Sequence, residues 1–181
     1  QAGLFYFPHY GNYPVYDAKQ NTRTVADLQL VAWMLSQFST IEEIKAAMQD
    51  IRVVSVDTTG ASSTVHWRIG DANGRQVVLE FVDGVPCFYE NEIGVLTNSP
   101  GFPWQMTNLN NYVNLYPGGA EAHQLGGVTI FPFGAGSGFQ GIPGDVTPPS
   151  RFVRAAFYKA TAPQCATAYD AVLQSFHILN N

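Results

Sequence analysis

Charge is scarce in this 181-residue sequence. Asp, Glu, Lys and Arg together make up 13% of it, about half of the ~25% usual in a soluble domain. Much of the surface is therefore expected to be neutral or covered by partners. The 9 basic residues are outnumbered by 14 acidic ones, the net charge is −5, and no run of Lys or Arg occurs. Nucleic acid and an anionic membrane surface are thus poor partners for this chain. No apolar stretch approaches the roughly 20 residues needed to cross a bilayer. Cysteine is nearly missing: Cys87 and Cys165 stand apart, without a C-x-x-C, and His9, His66, His123 and His177 are scattered. That spacing supports no zinc site. Each cysteine is expected to be a buried free thiol. An initiating Met and a signal peptide are also lacking. "AGLFYFP" (2–8) already reads as an apolar strand and "FHILNN" as a helix end, so the sequence reads as an internal segment of a longer protein.

What is present is strongly patterned. After an aromatic loop at 9–20, Asn21 or Thr22 is placed to cap a helix. Val25, Leu28, Val31, Leu35 and Phe38 follow at helical spacing. Thr40 and Glu43 form a capping box ahead of Ile44, Met48 and Ile51, which predicts a second helix packed beside the first. The period then changes to two. Val65, Trp67 and Ile69 alternate with Thr64, His66 and Arg68. Asn73-Gly74 and Asp83-Gly84 are hairpin turns, and "QVVLEFV" (76–82), "VPCFY" (85–89) and "IGVLT" (93–97) complete a four-stranded antiparallel meander. Residues 103–113 read as a helix with Pro103 in its first turn. The Gly/Pro-dense stretch 117–150 is expected to be ordered, because it holds Ile130, Phe131, Phe133, Phe139 and Ile142. Residues 151–160 fit a strand or a helix. Pro163 opens a last helix, with Tyr169, Val172, Phe176 and Leu179 along one stripe. The order predicts a single α+β domain over 1–181, an antiparallel sheet covered by helices.

Gly136 to Gly141 fits G-x-G-x-x-G, but "IPGDVTPP" follows where a dinucleotide site needs a helix. Ser137 has Ala135 and Phe139 where a nucleophile elbow carries glycines, two residues before and two after the serine. His66 has no nucleophile at a recognisable spacing and reads as a structural strand residue. Two positions carry more chemistry. Asn98 leaves the run Ile93–Thr97 just before Pro100, Gly101 and Pro103. It is a turn former, and its amide is also a donor for an oxyanion. Arg151 follows Pro148-Pro149 and offers fixed positive charge, or a cap or surface ion pair.

"VLTNSPGFPWQMTNLNNY" (95–112) followed by "GFQGIPGDVTPPSRFVRAAFY" (138–158), with "AGLFYFP" and "HWRIGD…VVLEFVDG" in the same order, resembles the choloylglycine hydrolase family over nearly the whole chain. That family comprises conjugated bile acid hydrolases and penicillin V acylases. The resemblance implies the N-terminal nucleophile hydrolase fold, an α-β-β-α sandwich, here in part. It also implies hydrolysis of linear amide C–N bonds by a mature N-terminal Cys, with no metal or organic cofactor. That Cys and the family's nearby Arg and Asp find no match in this sequence, so the segment alone is expected to be inactive. Asn98 matches the family's oxyanion Asn and Arg151 its active-site Arg. The second oxyanion donor falls on Tyr6 when the match is anchored on Pro8, and on Phe5 when anchored on Gly3-Leu4; Tyr6 is preferred. The implied substrate is a glycine- or taurine-conjugated bile acid. Penicillin V and an acyl-homoserine lactone are the alternatives. A reading outside enzymology is an apolar-ligand module lined by Phe5, Tyr6, Phe7, Tyr10, Tyr13 and loop 57–63. The resemblance further implies that 117–150 is an assembly loop of a homo-oligomer, a tetramer in the family. The compartment, bacterial cytoplasm or periplasm, depends on sequence ahead of Gln1.

Overall fold

The computed structural model describes residues 1–7, 11–15, 23–56 and 64–180, with Tyr6 described by its backbone. His9, Tyr10, the cap expected at Asn21 or Thr22, and loop 57–63 lie outside the described residues. The described chain forms two compact units, Gln1–Gln105 and the residues from Met106 on.

The first unit is built on a four-stranded antiparallel sheet in the order β1-β4-β5-β6. Its strands are β1 (Ala2–Tyr6), β4 (Val65–Gly70), β5 (Gln76–Val82) and β6 (Val85–Glu90). A separate parallel pair joins β2 (Arg23–Ala26) to β3 (Ile51–Val54). The β4–β6 meander is as the alternation predicts. Asp83 and Gly84 both take positive φ (50° and 76°), the two-residue hairpin turn whose twist suits the flanking strands. The fourth strand differs from expectation: β1 pairs with β4, whereas residues 93–97 form no strand.

One face of the sheet carries Val65, Trp67, Ile69, Val77, Leu79 and Phe81. Against it pack Leu30 and Met34 of α1 (Leu30–Gln37), Ile41 and Ile44 of α2 (Ile41–Ala47), and Met48. Full burial of such side chains is worth about 1.5–3 kcal/mol each, so this layer is the main source of stability in the unit. The Thr40–Glu43 capping box forms as expected. The first helix does not: residues 23–26 are strand β2, and α1 starts only at Leu30. The helical spacing from Val25 was therefore a coincidence across a strand–helix junction. Leu28 and Leu35 are each 56% exposed, and the buried positions are Leu30 and Met34. Ile51 likewise belongs to β3, not to the second helix. Outside the core, Arg75 pairs with Glu42 and Glu90, and Lys45 reaches the same two carboxylates. This exposed network ties α2 to the hairpin, and pairs of this kind contribute little individually.

Helix α3 (Phe102–Asn108) leads out of the first unit. In the second, the exposed hairpin β7 (His123–Leu125) and β8 (Val128–Ile130) lies within the expected ordered loop, while Phe131 and Phe133 are exposed. The G-x-G-x-x-G stretch is a single 3₁₀ turn, Ser137–Phe139, running into coil. A Cβ on Gly138 would collide with the Tyr116 carbonyl, so this glycine serves close backbone packing. Residues 151–160, which fit a strand or a helix by pattern, belong to helix α4 (Pro148–Thr161), with the two prolines in its first turn. Helix α5 (Ala168–Leu179) is capped by Thr167 and starts five residues after Pro163, the opening expected from the sequence. Its apolar stripe is exposed. Both thiols depart from expectation: Cys87 is half-buried in β6, and Cys165 is exposed ahead of α5.

The shifted face of α1 is directly testable. Met34→Ala is expected to destabilise the protein by about 2–5 kcal/mol, and Leu35→Ala by less than about 0.5 kcal/mol, read as shifts of the denaturant midpoint.

Candidate active site

Tyr6 and Asn98 are both held at the N-terminal end of β4. The strand register sets the first. Phe7 N–H donates to the Thr64 carbonyl (2.8 Å), and Gly70 N–H donates to the Gln1 carbonyl (2.8 Å). The alternation of an antiparallel ladder then turns the N–H groups of odd-numbered β1 residues, Phe5 included, toward β4. Those of Leu4 and Tyr6 face the outer edge of the sheet. Beyond β1, the Thr64 hydroxyl donates to the carbonyl of Phe7 (2.5 Å) and lies 3.2 Å from that of Gly11, which closes the strand end over β4.

The Asn98 segment is held differently. Asn91 N–H donates to the Gln76 carbonyl (2.8 Å), ending the β5–β6 ladder. Its side chain then acts in both directions, accepting from Gly94 N–H (2.8 Å) and donating to the Val95 carbonyl (3.1 Å). His66 Nε2 donates to the Thr97 carbonyl (2.7 Å). Side chains thus supply the hydrogen bonds that a neighbouring strand would have supplied, which is why the apolar run 93–97 is not a strand. Asn98 follows, half-buried, in a bend that includes a cis Ser99–Pro100 peptide. The bend closes where Phe102 N–H donates to Glu80 Oε1 (2.8 Å) and Gln105 N–H to the Gly101 carbonyl (3.1 Å).

His66 and Glu80 are fully buried, with Nδ1 2.9 Å from Oε1. The register that sets Trp67 opposite Leu79 sets His66 opposite Glu80. Sequence reasoning passed over this pair. The available signal was a lone carboxylate inside the apolar run "VVLEFV". Around it, burial pushes the Tyr89 hydroxyl up to about 12, with the Cys87 thiol adding to the shift.

The aromatics proposed to line a ligand pocket serve packing where they are described. Phe7 is buried and stacks on His66 (centroids 4.4 Å apart, planes 6° apart). Tyr13 donates to Asp27 Oδ2 (3.2 Å) and accepts from Val65 N–H (3.3 Å), and burial raises its pKa well above the ordinary tyrosine value.

Arg151 belongs to the second unit, in the first turn of α4. Its Nε donates to the Val146 carbonyl (3.0 Å). The preceding loop is fastened to the helix by Arg154 Nη1, which donates to the carbonyls of Pro143 (2.8 Å) and Asp145 (2.6 Å). The Asp145 carboxylate accepts from the Ser150 hydroxyl (2.6 Å), the Thr147 hydroxyl (2.5 Å) and Thr147 N–H (2.8 Å). These bonds, Ser150's first, lower its pKa to about 2. Among the described residues, no three His, Cys, Asp or Glu side chains sit together as a metal site would need.

The family model of the linear amide C–N hydrolases, choloylglycine hydrolase family, matches residues 1–181, and the chain belongs to this family. A bile salt hydrolase/transferase from Clostridium perfringens (strain 13 / Type A) is 36% identical over 182 residues, 99% of this chain and 55% of that protein. A penicillin V acylase from Pectobacterium atrosepticum is 27% identical over 151 residues, 79% of this chain and 35% of that protein. The solved structure of a variant of conjugated bile acid hydrolase from Clostridium perfringens superposes with a TM-score of 0.82 at 33% identity, covering 99% of this chain and 55% of that one. The fold is that of the N-terminal nucleophile hydrolases, a mixture of helices and antiparallel sheet. The chain spans about half the length of the bile salt hydrolases it matches.

The Asp145 bonds give a pH-dependent prediction. A lowered folded-state pKa means that the contribution of this carboxylate is intact above the ordinary aspartate value of about 4. It is lost as the pH falls toward about 2. Ser150→Ala is expected to move the Asp145 titration upward, toward the ordinary value, as followed by carboxyl carbon NMR.

Proposed function

We propose that this chain is part of an amidase that deconjugates glycine- or taurine-linked bile acids. The nucleophile is an N-terminal Cys carried by sequence outside these 181 residues. The observation that carries the reading is the backbone around Asn98. The Thr97 carbonyl and Phe102 N–H on either side of the bend are bound by two buried side chains of the sheet. A donor on so restrained a backbone needs little reorganisation as charge develops, which is the requirement of an oxyanion hole.

The thiolate attacks the amide carbonyl, and the carbonyl oxygen gains negative charge. The Asn98 amide and the Tyr6 N–H receive that charge. The strand register favours Tyr6 over Phe5, because the Phe5 N–H is turned toward β4. The amine departs with a proton, leaving a thioester, and water cleaves the thioester to the free acid and thiolate. Arg151, held by its own capping loop, supplies fixed positive charge to the thiolate or the substrate. Bile acid is favoured over penicillin V by the higher identity and fuller coverage of the bile salt hydrolase relative. The hairpin segment within 117–150, with Phe131 and Phe133 exposed, acts as an assembly loop in a homo-oligomer.

In the full-length protein, Asn98→Ala is expected to lower kcat by about 10²–10³, the usual loss for one oxyanion donor, with the unfolding midpoint unchanged. A near-normal rate would reject the role. Taurocholate, glycocholate and penicillin V are the substrates to compare, with the first two expected to turn over faster. The 181-residue segment alone is expected to show no turnover, and measurable hydrolysis by it would refute the external nucleophile.

A further inference from the structure

We propose that His66 and Glu80 form a buried clamp that positions Asn98 for catalysis. Neither residue touches the substrate in this reading, and the proposal rests on the oxyanion role given to Asn98 above.

The clamp holds the bend at both ends. On one side His66 Nε2 donates to the carbonyl of Thr97, the residue directly before Asn98 (2.7 Å). On the other, Glu80 Oε1 accepts the N–H of Phe102 (2.8 Å). The two side chains are joined through Nδ1 and the same Oε1 (2.9 Å), so one continuous hydrogen-bonded chain spans residues 97 to 102. The middle of the bend also lies against the clamp. A Cβ placed on Gly101 would come within 3.0 Å of Glu80 Oε2 and 3.5 Å of Phe7 Cζ. A third contact links the clamp to β1: Phe7 stacks face to face on the His66 ring, and Phe5 is its partner across the strands with its ring edge-on. One imidazole therefore stands between the strand that ends in Tyr6 and the bend that presents Asn98. Both ring nitrogens and the bonded carboxylate oxygen are fully engaged in these contacts, and both residues are withdrawn from solvent. This geometry suits a fixed support and leaves no ring nitrogen to act as an acid or base on a substrate.

Two substitutions separate the two halves of the clamp. In His66→Asn the amide nitrogen can replace Nδ1 at Glu80, but nothing reaches Thr97. In His66→Gln the amide nitrogen can extend to the place of Nε2 and keep the Thr97 bond. For the full-length protein hydrolysing taurocholate, His66→Asn is expected to lower kcat by about tenfold or more while KM moves less than about threefold. His66→Gln is expected to retain a larger share of kcat. If His66 mattered only for folding, the two kcat values would be equal and near wild type once corrected for the folded fraction, and the proposal would fail. A double-mutant cycle tests whether the effect passes through Asn98. Adding His66→Asn to Asn98→Ala should cost less than about a further twofold, whereas independent, multiplying losses would overturn the clamp. Near-normal turnover in Asn98→Ala would instead remove the oxyanion reading itself. A slow Asn98→Ala beside a normal His66→Asn would remove only the clamp. Should neither His66 variant fold, the wild-type protein decides: a slowly exchanging His66 Nε2–H proton resonance is expected, and its absence refutes the bond to Thr97.

Discussion

Trp67 faces Leu79 and His66 faces Glu80 across the β4–β5 hairpin, and the first unit depends on that register. Side chains on a strand alternate with period two, so a slip of one residue would exchange the faces. Trp67, Leu79 and Phe81 would leave the helix layer, and the imidazole and carboxylate would enter it. The penalty is steep in both directions. Large apolar side chains would lose about 1.5–3 kcal/mol each. A buried carboxylate stripped of its partner costs about 3–5 kcal/mol. The register is therefore enforced from both faces, by apolar packing on one and by polar pairing on the other.

The polar face explains how a segment without secondary structure stays in place. Residues 93–101 belong to no ladder, yet the carbonyls of Val95 and Thr97, the N–H of Gly94 and that of Phe102 just beyond each have a side-chain partner. Asn91, His66 and Glu80 replace a strand with point contacts. A ladder would have bound every second residue and flattened the bend. The point contacts fall on Gly94, Val95, Thr97 and Phe102, and between the last two the chain is able to turn through a bend in which Asn98 is half-exposed. Rigidity is kept while the regular structure is given up at the bend that carries Asn98.

Much of this fold was legible in the sequence, and the failures have common physical causes. Alternation, Asn73-Gly74 and Asp83-Gly84 located β4, β5 and β6, and Thr40 with Glu43 located the start of α2, because those signals are local. Strand β2 was hidden because its partner β3 lies about 28 residues further along and the pair is parallel, a pairing no local pattern reports. Residues 93–97 looked like a strand because an apolar run records burial and not the partner of each carbonyl. Asn98, Arg151 and Tyr6 were reached through resemblance, since a polar residue at a strand end reads the same as a turn former or as a site. His66 and Glu80 needed the hairpin register. Each alone reads as an isolated polar residue, and only their opposition across the sheet makes them a pair.

The two kinds of support also differ in what they can resist. The bonds that fasten Arg151 are local: Asp145, Thr147, Ser150 and Arg154 all lie within one turn or loop of it, and the Asp145 carboxylate is solvent-exposed. Water competes for such bonds, and acid removes the carboxylate's share. The support of Asn98 joins residues distant in sequence through groups withdrawn from water, where a hydrogen bond is electrostatically stronger and an unpaired group more costly. A guanidinium on a long flexible stem tolerates a local, adjustable mount. In the role proposed for Asn98, a short amide does not, since an oxyanion donor acts only within hydrogen-bond distance of a point fixed by the reacting carbon. The deeper and less adjustable support is found under the residue whose proposed chemistry demands the tighter placement.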